Sequence, residues 1–265
     1  MDNTYWQTQN NNEPLFADLH WSKPQFKDLS GKLAIIGGNS HGFSELSNCF
    51  VDANKAGIGY VKILAPDSLR KSLRPIFPEV EVAPSNRSGS FSHQALASWL
   101  DLADWSDGVI VCGDISHNSE TMILLEQFIN KCSKPISLIN QSCDILLSSP
   151  LTILQANNLL IVPDLIQLQK FLIAIRYPST IKSTSTINQV VDVLHSLTIN
   201  YKFSLLFNFN QQIIIAQKGL ISTTFINQDI KLNTALTYAT VWRLQHPMLK
   251  SFQAMTTAIY ELINN

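Results

Sequence analysis

Three groups of residues in this chain have the types and spacing to do chemistry. The first is Gly37-Gly38-Asn39-Ser40-His41, a glycine pair followed by side chains that donate and accept hydrogen bonds. Glycines let backbone N–H groups approach a ligand closely, and many anion and nucleotide sites begin this way. The stretch matches neither the G-x-G-x-x-G fingerprint nor a P-loop ending in Gly-Lys-Ser/Thr, so direct readings as either are poor. The second group is Gly113-Asp114 with His117 and Glu120, which could form an acid/base or metal cluster after a strand. The third is two single acids, Glu45 and Asp164, each at the start of a helix-like stretch.

Each group also has a structural alternative. The glycine pair can serve only a tight turn onto a helix. Asp114, His117 and Glu120 can be a solvated loop with a helix cap, and Asp164 can be an N-cap. Glu45 can be a first-turn acid favoured by the helix dipole. His195 and His246 have no partners nearby in sequence and read as structural. Trp99, Trp105 and Trp242 read as packing anchors, because no basic residues interleave with them as on a base-stacking platform.

The elements that must position these groups alternate in type. KLAIIG, GYVKILA, DGVIVCG, KPISLIN and NLLIV are short apolar runs, read as buried strands. Between them, FSELSNCFVDANKAG carries Phe43, Leu46, Phe50 and Ala53 at helical steps and ends at Gly57. PDSLRKSLRPIF reads as a short helix with Pro66 near its start, and FSHQALASWLDLA as another helix. SETMILLEQFINKC is helical with Ser119 as its cap, and SPLTILQAN and PDLIQLQKFLIAI are helical too. This β-α order with short connections predicts a mostly parallel sheet covered by helices on both faces, with residues 109–112 central. A Ser/Thr-rich connection and the helix VVDVLHSLT follow. Three closely spaced β-rich segments over 203–226 then extend the sheet, partly antiparallel, before two helices separated by Pro247. Residues 1–13 are Asn/Gln-rich and expected to be disordered or loosely attached; residues 14–265 are expected to form a single domain.

Composition narrows the function classes. Hydrophobic residues make up 45% of the chain, enough for a substantial core, and the formal net charge of −1 argues against a general nucleic-acid or anionic-membrane binder. The apolar runs are far too short to span a bilayer, and the polar start lacks the features of a secretion signal. Cys49, Cys112, Cys132 and Cys143 form no C-x-x-C pair and are read as buried free thiols in a reducing cytoplasm.

The stretches GKLAIIGGNSHGF, DANKAGIGYVKILAP, FPEVEV and DWSDGVIVCGDISHNSET, in this order over about residues 30–175, resemble the ADP/ATP-dependent NAD(P)H-hydrate dehydratases. The resemblance implies a ribokinase-like three-layer α/β/α sandwich with a mostly parallel sheet. It also implies a small nucleotide-like ligand, ADP or ATP with magnesium as cofactor, and a homo-oligomer for which Trp242, Phe252, Met255 and Tyr260 could supply an interface. The candidate crevice then comprises Gly37, Gly38, Asn39, Ser40, Glu45, Gly113, Asp114, Asn140 and Asp164.

The departures fall on the chemistry. The family's Gly-Pro-Gly-x-Gly loop corresponds to Cys112–Glu120, where Gly113 alone remains as a phosphate-friendly position. Its Asp-Ala-Asp corresponds to Asn140-Gln141-Ser142. Its Thr-Pro-His-x-x-Glu corresponds to Val162–Gln167, with Asp164 for the His and Gln167 for the Glu. The Lys-Gly nucleotide loop falls in LLFNFNQQIII, and the Gly-x-Gly-Asp anion hole and base have no match before KLNTALTYATVW. Of ten glycines, only Gly219 lies beyond Gly113, so the second half cannot build the usual glycine-rich anion hole. The helix start at Asn233-Thr234 could hold an anion only weakly. A carboxylate at Glu45, near a position where the family has a small residue, would narrow the pocket and repel phosphate. These features point to a catalytically inactive ligand-binding or interaction module with no catalytic or metal residues and weak or absent nucleotide binding. The alternatives are a working dehydratase with non-standard residues and, less favoured, a small-molecule kinase.

Overall fold

The apolar runs form strands, and the stripes at helical spacing form helices. The computed structural model describes residues 5–113, 115, 118–227, 230–246 and 251–264, and of His20 the backbone alone. Strand β1 (Trp6–Gln9) and the helical turn α1 (Ala17–His20) precede β2 (Lys32–Ile36), α2 (Ser44–Lys55), β3 (Tyr60–Pro66) and α3 (Arg70–Leu73). Next come β4 (Glu81–Ala83), α4 (Leu96–Trp105), β5 (Gly108–Val111), α5 (Ser119–Lys131) and β6 (Ile136–Ile139). Helices α6 (Ile145–Ser148) and α7 (Pro150–Gln155) lead to β7 (Leu159–Val162), α8 (Leu165–Ala174) and α9 (Ile187–Asn200). The meander β8 (Ser204–Phe209), β9 (Gln212–Gln217) and β10 (Leu220–Phe225) is followed by α10 (Leu232–Gln245) and α11 (Ser251–Asn264).

The strands form one ten-stranded sheet in the order β1-β10-β9-β8-β7-β6-β5-β2-β3-β4. From β4 to β8 every pairing is parallel, and β5 is the middle strand of that stretch. Strand β9 runs antiparallel to both β8 and β10, as the closely spaced β-rich segments predict. Both meander turns are two-residue loops with positive φ at each central position, Asn210-Gln211 and Lys218-Gly219. That twist matches the flanking strands.

Alternation along each strand separates two cores. Ala34, Ile36, Val109, Val111, Leu138 and Ile161 face α4, α5 and α7 to α9. Leu33, Ile35, Ile110, Ile139 and Val162 face α2, α10 and α11. This period-two division is what a sheet buried on both faces requires. All four cysteines are buried and free. The thiol of Cys49 beside it, together with burial, pushes the Cys112 thiol well above the ordinary range, and burial does the same for Cys143. Such thiols stay protonated and unreactive.

Several expectations need correction. The Asn/Gln-rich start is not loosely attached throughout: Trp6–Gln9 pairs in parallel with Ile221–Thr224 at the sheet edge. Its polar side chains have specific partners, Trp6 Nε1 on Thr223 Oγ1 (3.0 Å) and Gln9 Nε2 on the Thr256 carbonyl (2.9 Å). Tyr5 stacks on His195 at 3.6 Å between centroids and donates to Asp192 at 2.8 Å. Pro66 does stand near the start of its helix: it ends β3 opposite Ala83 with a φ of −60° and caps the helical turn Asp67–Leu69 that runs into α3. Of the four residues expected at an interface, Trp242, Phe252 and Met255 are buried in the chain's own core, and Tyr260 is partly exposed. Pro247 lies outside the described residues. Among the described residues no helix is long and apolar enough to cross a membrane.

Candidate functional site

From β2 the chain winds outward through β3 to β4, whereas β5, β6 and β7 lie on the other side of β2. The crevice beyond the carboxyl ends of β2 and β5 is therefore a topological switch point, where open α/β sheets bind ligands. Gly37-Gly38 follows β2 and Gly113 follows β5, and Gly38 N donates to Gly113 O at 3.4 Å across the gap. The two glycine positions thus meet at the expected place.

The glycine turn serves packing first. A Cβ on Gly37 would lie 2.7 Å from Cys112 Sγ, and Gly38 has a φ of +89° with Leu69 closing on it. The backbone donors of the turn are already bound within the chain. Gly37 N donates to Leu64 O, Asn39 N to Gly42 O, Ser40 N to Gly89 O and Gly42 N to Asn39 O, all within 3.2 Å. His41 N donates to Asn39 Oδ1 at 2.7 Å. The loop Ser85–Phe91 lies over this turn, with Ser40 Oγ on Ser88 O (3.1 Å) and Ser68 Oγ on Gly89 O (2.8 Å). That covering loop was not foreseen. The Asn86-Arg87-Ser88-Gly89 turn signal marked it, because Asn86 Oδ1 gathers the N–H groups of Ser88 and Ser90.

On the far side of Gly38 and Gly113, side chains replace backbone. Glu45, in the first turn of α2, lies against Gly113, where any Cβ would overlap its Oε2 atom. Its Oε1 accepts from Asn140 Nδ2 at 2.7 Å, and Asn140 Nδ2 also donates to Asn233 Oδ1 at 3.2 Å. Asn233 stands in the first turn of α10. Asn140 itself has a φ of +56°, a left-handed conformation that Asn tolerates better than most residues, at the carboxyl end of β6. Among the described residues, Glu45 Oε2 is buried without a hydrogen-bond partner. The position read as phosphate-friendly, Gly113, is therefore occupied by a carboxylate of the same chain.

Asp164 is an N-cap. Its carboxylate accepts from Gln167 N at 2.7 Å while Gln167 Oε1 accepts from Asp164 N at 3.0 Å, a reciprocal capping box. It reaches the crevice only through Gln167, whose Nε2 lies 2.9 Å from both Asn140 O and Asp144 Oδ1. Ser142 Oγ accepts from Ile139 N at 2.8 Å and lies 2.9 Å from Val111 O, closing the end of β6. Thr234 Oγ1 ties α10 to α2 by donating to Asp52 at 2.7 Å. Asp114 and His117 lie outside the described residues.

Glu120 is engaged with His93 on the neighbouring helical turn. It binds the N–H and ring Nδ1 of His93, at 3.0 and 2.8 Å. The donated His93 N–H, then the ring, hold its carboxyl below the usual range. These two residues line a separate polar cavity of about 490 Å³ with Arg87 and Asn118. The cap of α5 is Asn118, accepting from Glu120 N, and not Ser119, which is the first helical residue. Among the described residues no three of His, Cys, Asp and Glu gather as metal ligands. Among the described residues, Asn140 is bonded by the Glu45 carboxylate and by the side-chain amides of Asn233 and Gln167, and Gln167 also holds the Asp144 carboxylate.

Neither a protein-family model nor a curated protein sequence matches this chain. Solved structures do. A ribokinase-like superfamily protein of Enterococcus faecalis superposes with a TM-score of 0.72 at 10% identity, covering 99% of this chain and 88% of the other. A hypothetical protein of Streptococcus mutans gives 0.68 at 12% identity, with 91% and 85% covered. The ADP/ATP-dependent NAD(P)H-hydrate dehydratase of Bacillus subtilis, co-crystallized with ATP/Mg2+, gives 0.63 at 11% identity, with 96% and 88% covered. At such identities the likeness is one of fold. This chain has the ribokinase-like α/β/α fold, and an NAD(P)H-hydrate dehydratase is among the solved structures that share it.

Proposed function

We propose that this chain is a non-catalytic relative of the NAD(P)H-hydrate dehydratases, a ligand-binding or interaction module that keeps the frame of the site without its chemistry. One observation carries the reading: Asn140 bridges Glu45 and Asn233 by donating to both, and the Glu45 carboxylate lies against Gly113 at the switch point. ATP-dependent dehydration needs a phosphate held in place, an anion hole, and a carboxylate placed for proton transfer. Here the glycine turn has its donors bound internally, and Asp164 is engaged as a helix cap. Gly219, the one glycine of the second half, sits in the β9–β10 hairpin turn. Removing one oxyanion-type donor costs about 2.7–4 kcal/mol in comparable sites, so several losses together leave no useful rate.

The test is a direct assay. Hydrated NADH or NADPH is incubated with the protein, magnesium and either ATP or ADP, and recovery of the reduced-nicotinamide absorbance is followed. No recovery above the protein-free control is expected. Turnover at an ordinary enzymatic rate, lost on Asp114→Ala or Asp164→Ala, would overturn the reading and establish a dehydratase built from other residues.

A further inference from the structure

We infer that Glu45 is the residue that sets the ligand preference of this crevice: its carboxylate lies against Gly113 and shuts out anionic groups. The inference rests on the non-catalytic reading above and names the side chain that enforces it. Three features of the geometry support it.

The first is volume. Gly113 has an open face because it lacks a Cβ, and Glu45 Oε2 fills that face so closely that even a methyl group would overlap it. No phosphate oxygen can enter the Cβ side of Gly113 while the carboxylate stays there. The second is the set of groups around it. Asn140 Nδ2 donates to Glu45 Oε1 at 2.7 Å, and its second proton goes to Asn233 Oδ1 in the first turn of the fourteen-residue helix α10. A side-chain amide beside a helix N-terminus favours an anion, and here the anion is supplied by the chain itself. Tethered through α2, it competes with any free ligand at high effective concentration.

The third is imperfection. Among the described residues, Glu45 Oε2 is buried and has no partner, so half of the carboxylate is poorly solvated where it lies. A well-made structural carboxylate would have both oxygens satisfied. Charge also adds to volume, since a second anion brought to this point meets like-charge repulsion at short range.

Glu45→Ala removes both volume and charge. Glu45→Gln keeps the volume and an acceptor for Asn140 but removes the charge, and it serves if the alanine variant fails to fold. Pyrophosphate is titrated into wild type and both variants by calorimetry, after circular dichroism has shown native folding. Backbone amide signals of Gly113 and Asn233 are followed in parallel. Glu45→Ala is expected to bind pyrophosphate at least about tenfold more tightly than wild type, with Glu45→Gln between the two, and both amide signals should shift. The inference is overturned if no folded variant binds more tightly than wild type, or if tighter binding leaves both signals unmoved. It is equally overturned if wild type binds pyrophosphate as tightly as Glu45→Ala. None of these outcomes bears on turnover of hydrated cofactor, which the absorbance assay tests separately.

Discussion

The two sides of the crevice are closed by different means. On the β2 side, Gly37, Gly38 and the covering loop Ser85–Phe91 make a surface of backbone bonded to backbone. On the β6 and α10 side, Glu45, Asn140, Gln167 and Asn233 make one of side chains bonded to side chains and carbonyls. A backbone-built turn tolerates little change, because each residue must keep its φ and its clearance. A side-chain network can be rewritten one residue at a time while the helices and strands beneath it stay. The two sides therefore differ in how readily substitution can change them without disturbing the sheet beneath.

The sharpest way to break this comparison is on the β2 side. Gly37→Ala places a methyl group 2.7 Å from Cys112 Sγ and 3.1 Å from Cys112 O, both buried. It is expected to destabilise the protein by about 1–3 kcal/mol, read as a lowered denaturant midpoint with unchanged slope. A neutral result would mean that β2 and β5 can shift apart and that the turn is not rigid.

On the other side the effect should be smaller. Asp164→Ala removes the N-cap of α8 and with it the reciprocal bond to Gln167. The expected loss is about 1 kcal/mol in thermal or chemical unfolding. A loss as large as that of Gly37→Ala would blur the distinction, because it would make the cap as constrained as the glycine turn.

The smallest effect concerns the neighbouring polar cavity. Glu120 should titrate below the ordinary glutamate value in an NMR pH series, with the His93 backbone N–H as the main cause and the ring as the next. His93→Ala keeps the N–H and removes the ring, so the midpoint should rise only part of the way. A carboxyl with a lowered folded pKa contributes stability above its unfolded value, and that contribution fades as pH falls through the lowered pKa. A midpoint at the ordinary value would mean that the His93 contacts do not persist in solution.

Much of the site's frame was legible in the sequence because it follows from local rules. Gly37-Gly38 after an apolar run, and Asp164-x-x-Gln167 before another, specify a turn and a capping box from their own residue types. The Asn/Gln-rich start was read as loose because polar composition says nothing of partners hundreds of residues away, and only the sheet edge at β10 gives Trp6–Gln9 a place. Glu45 was legible as an obstacle but not as a bonded one. Its partner Asn140 lies 95 positions along the chain, and Asn233 a further 93 beyond that.

By itself, then, the sequence determined the alternation of strands and helices, the two-faced burial of the sheet and the absence of a second-half glycine loop. All three depend on residue type and on short periods. Tertiary structure alone decided that β2 and β5 lie side by side, bringing Gly38 and Gly113 to one point. It alone decided that the turn's donors are bound within the chain and that a carboxylate from α2 meets amides from β6 and α10. These are meetings of distant segments fixed by packing over the whole sheet, and no local pattern encodes them.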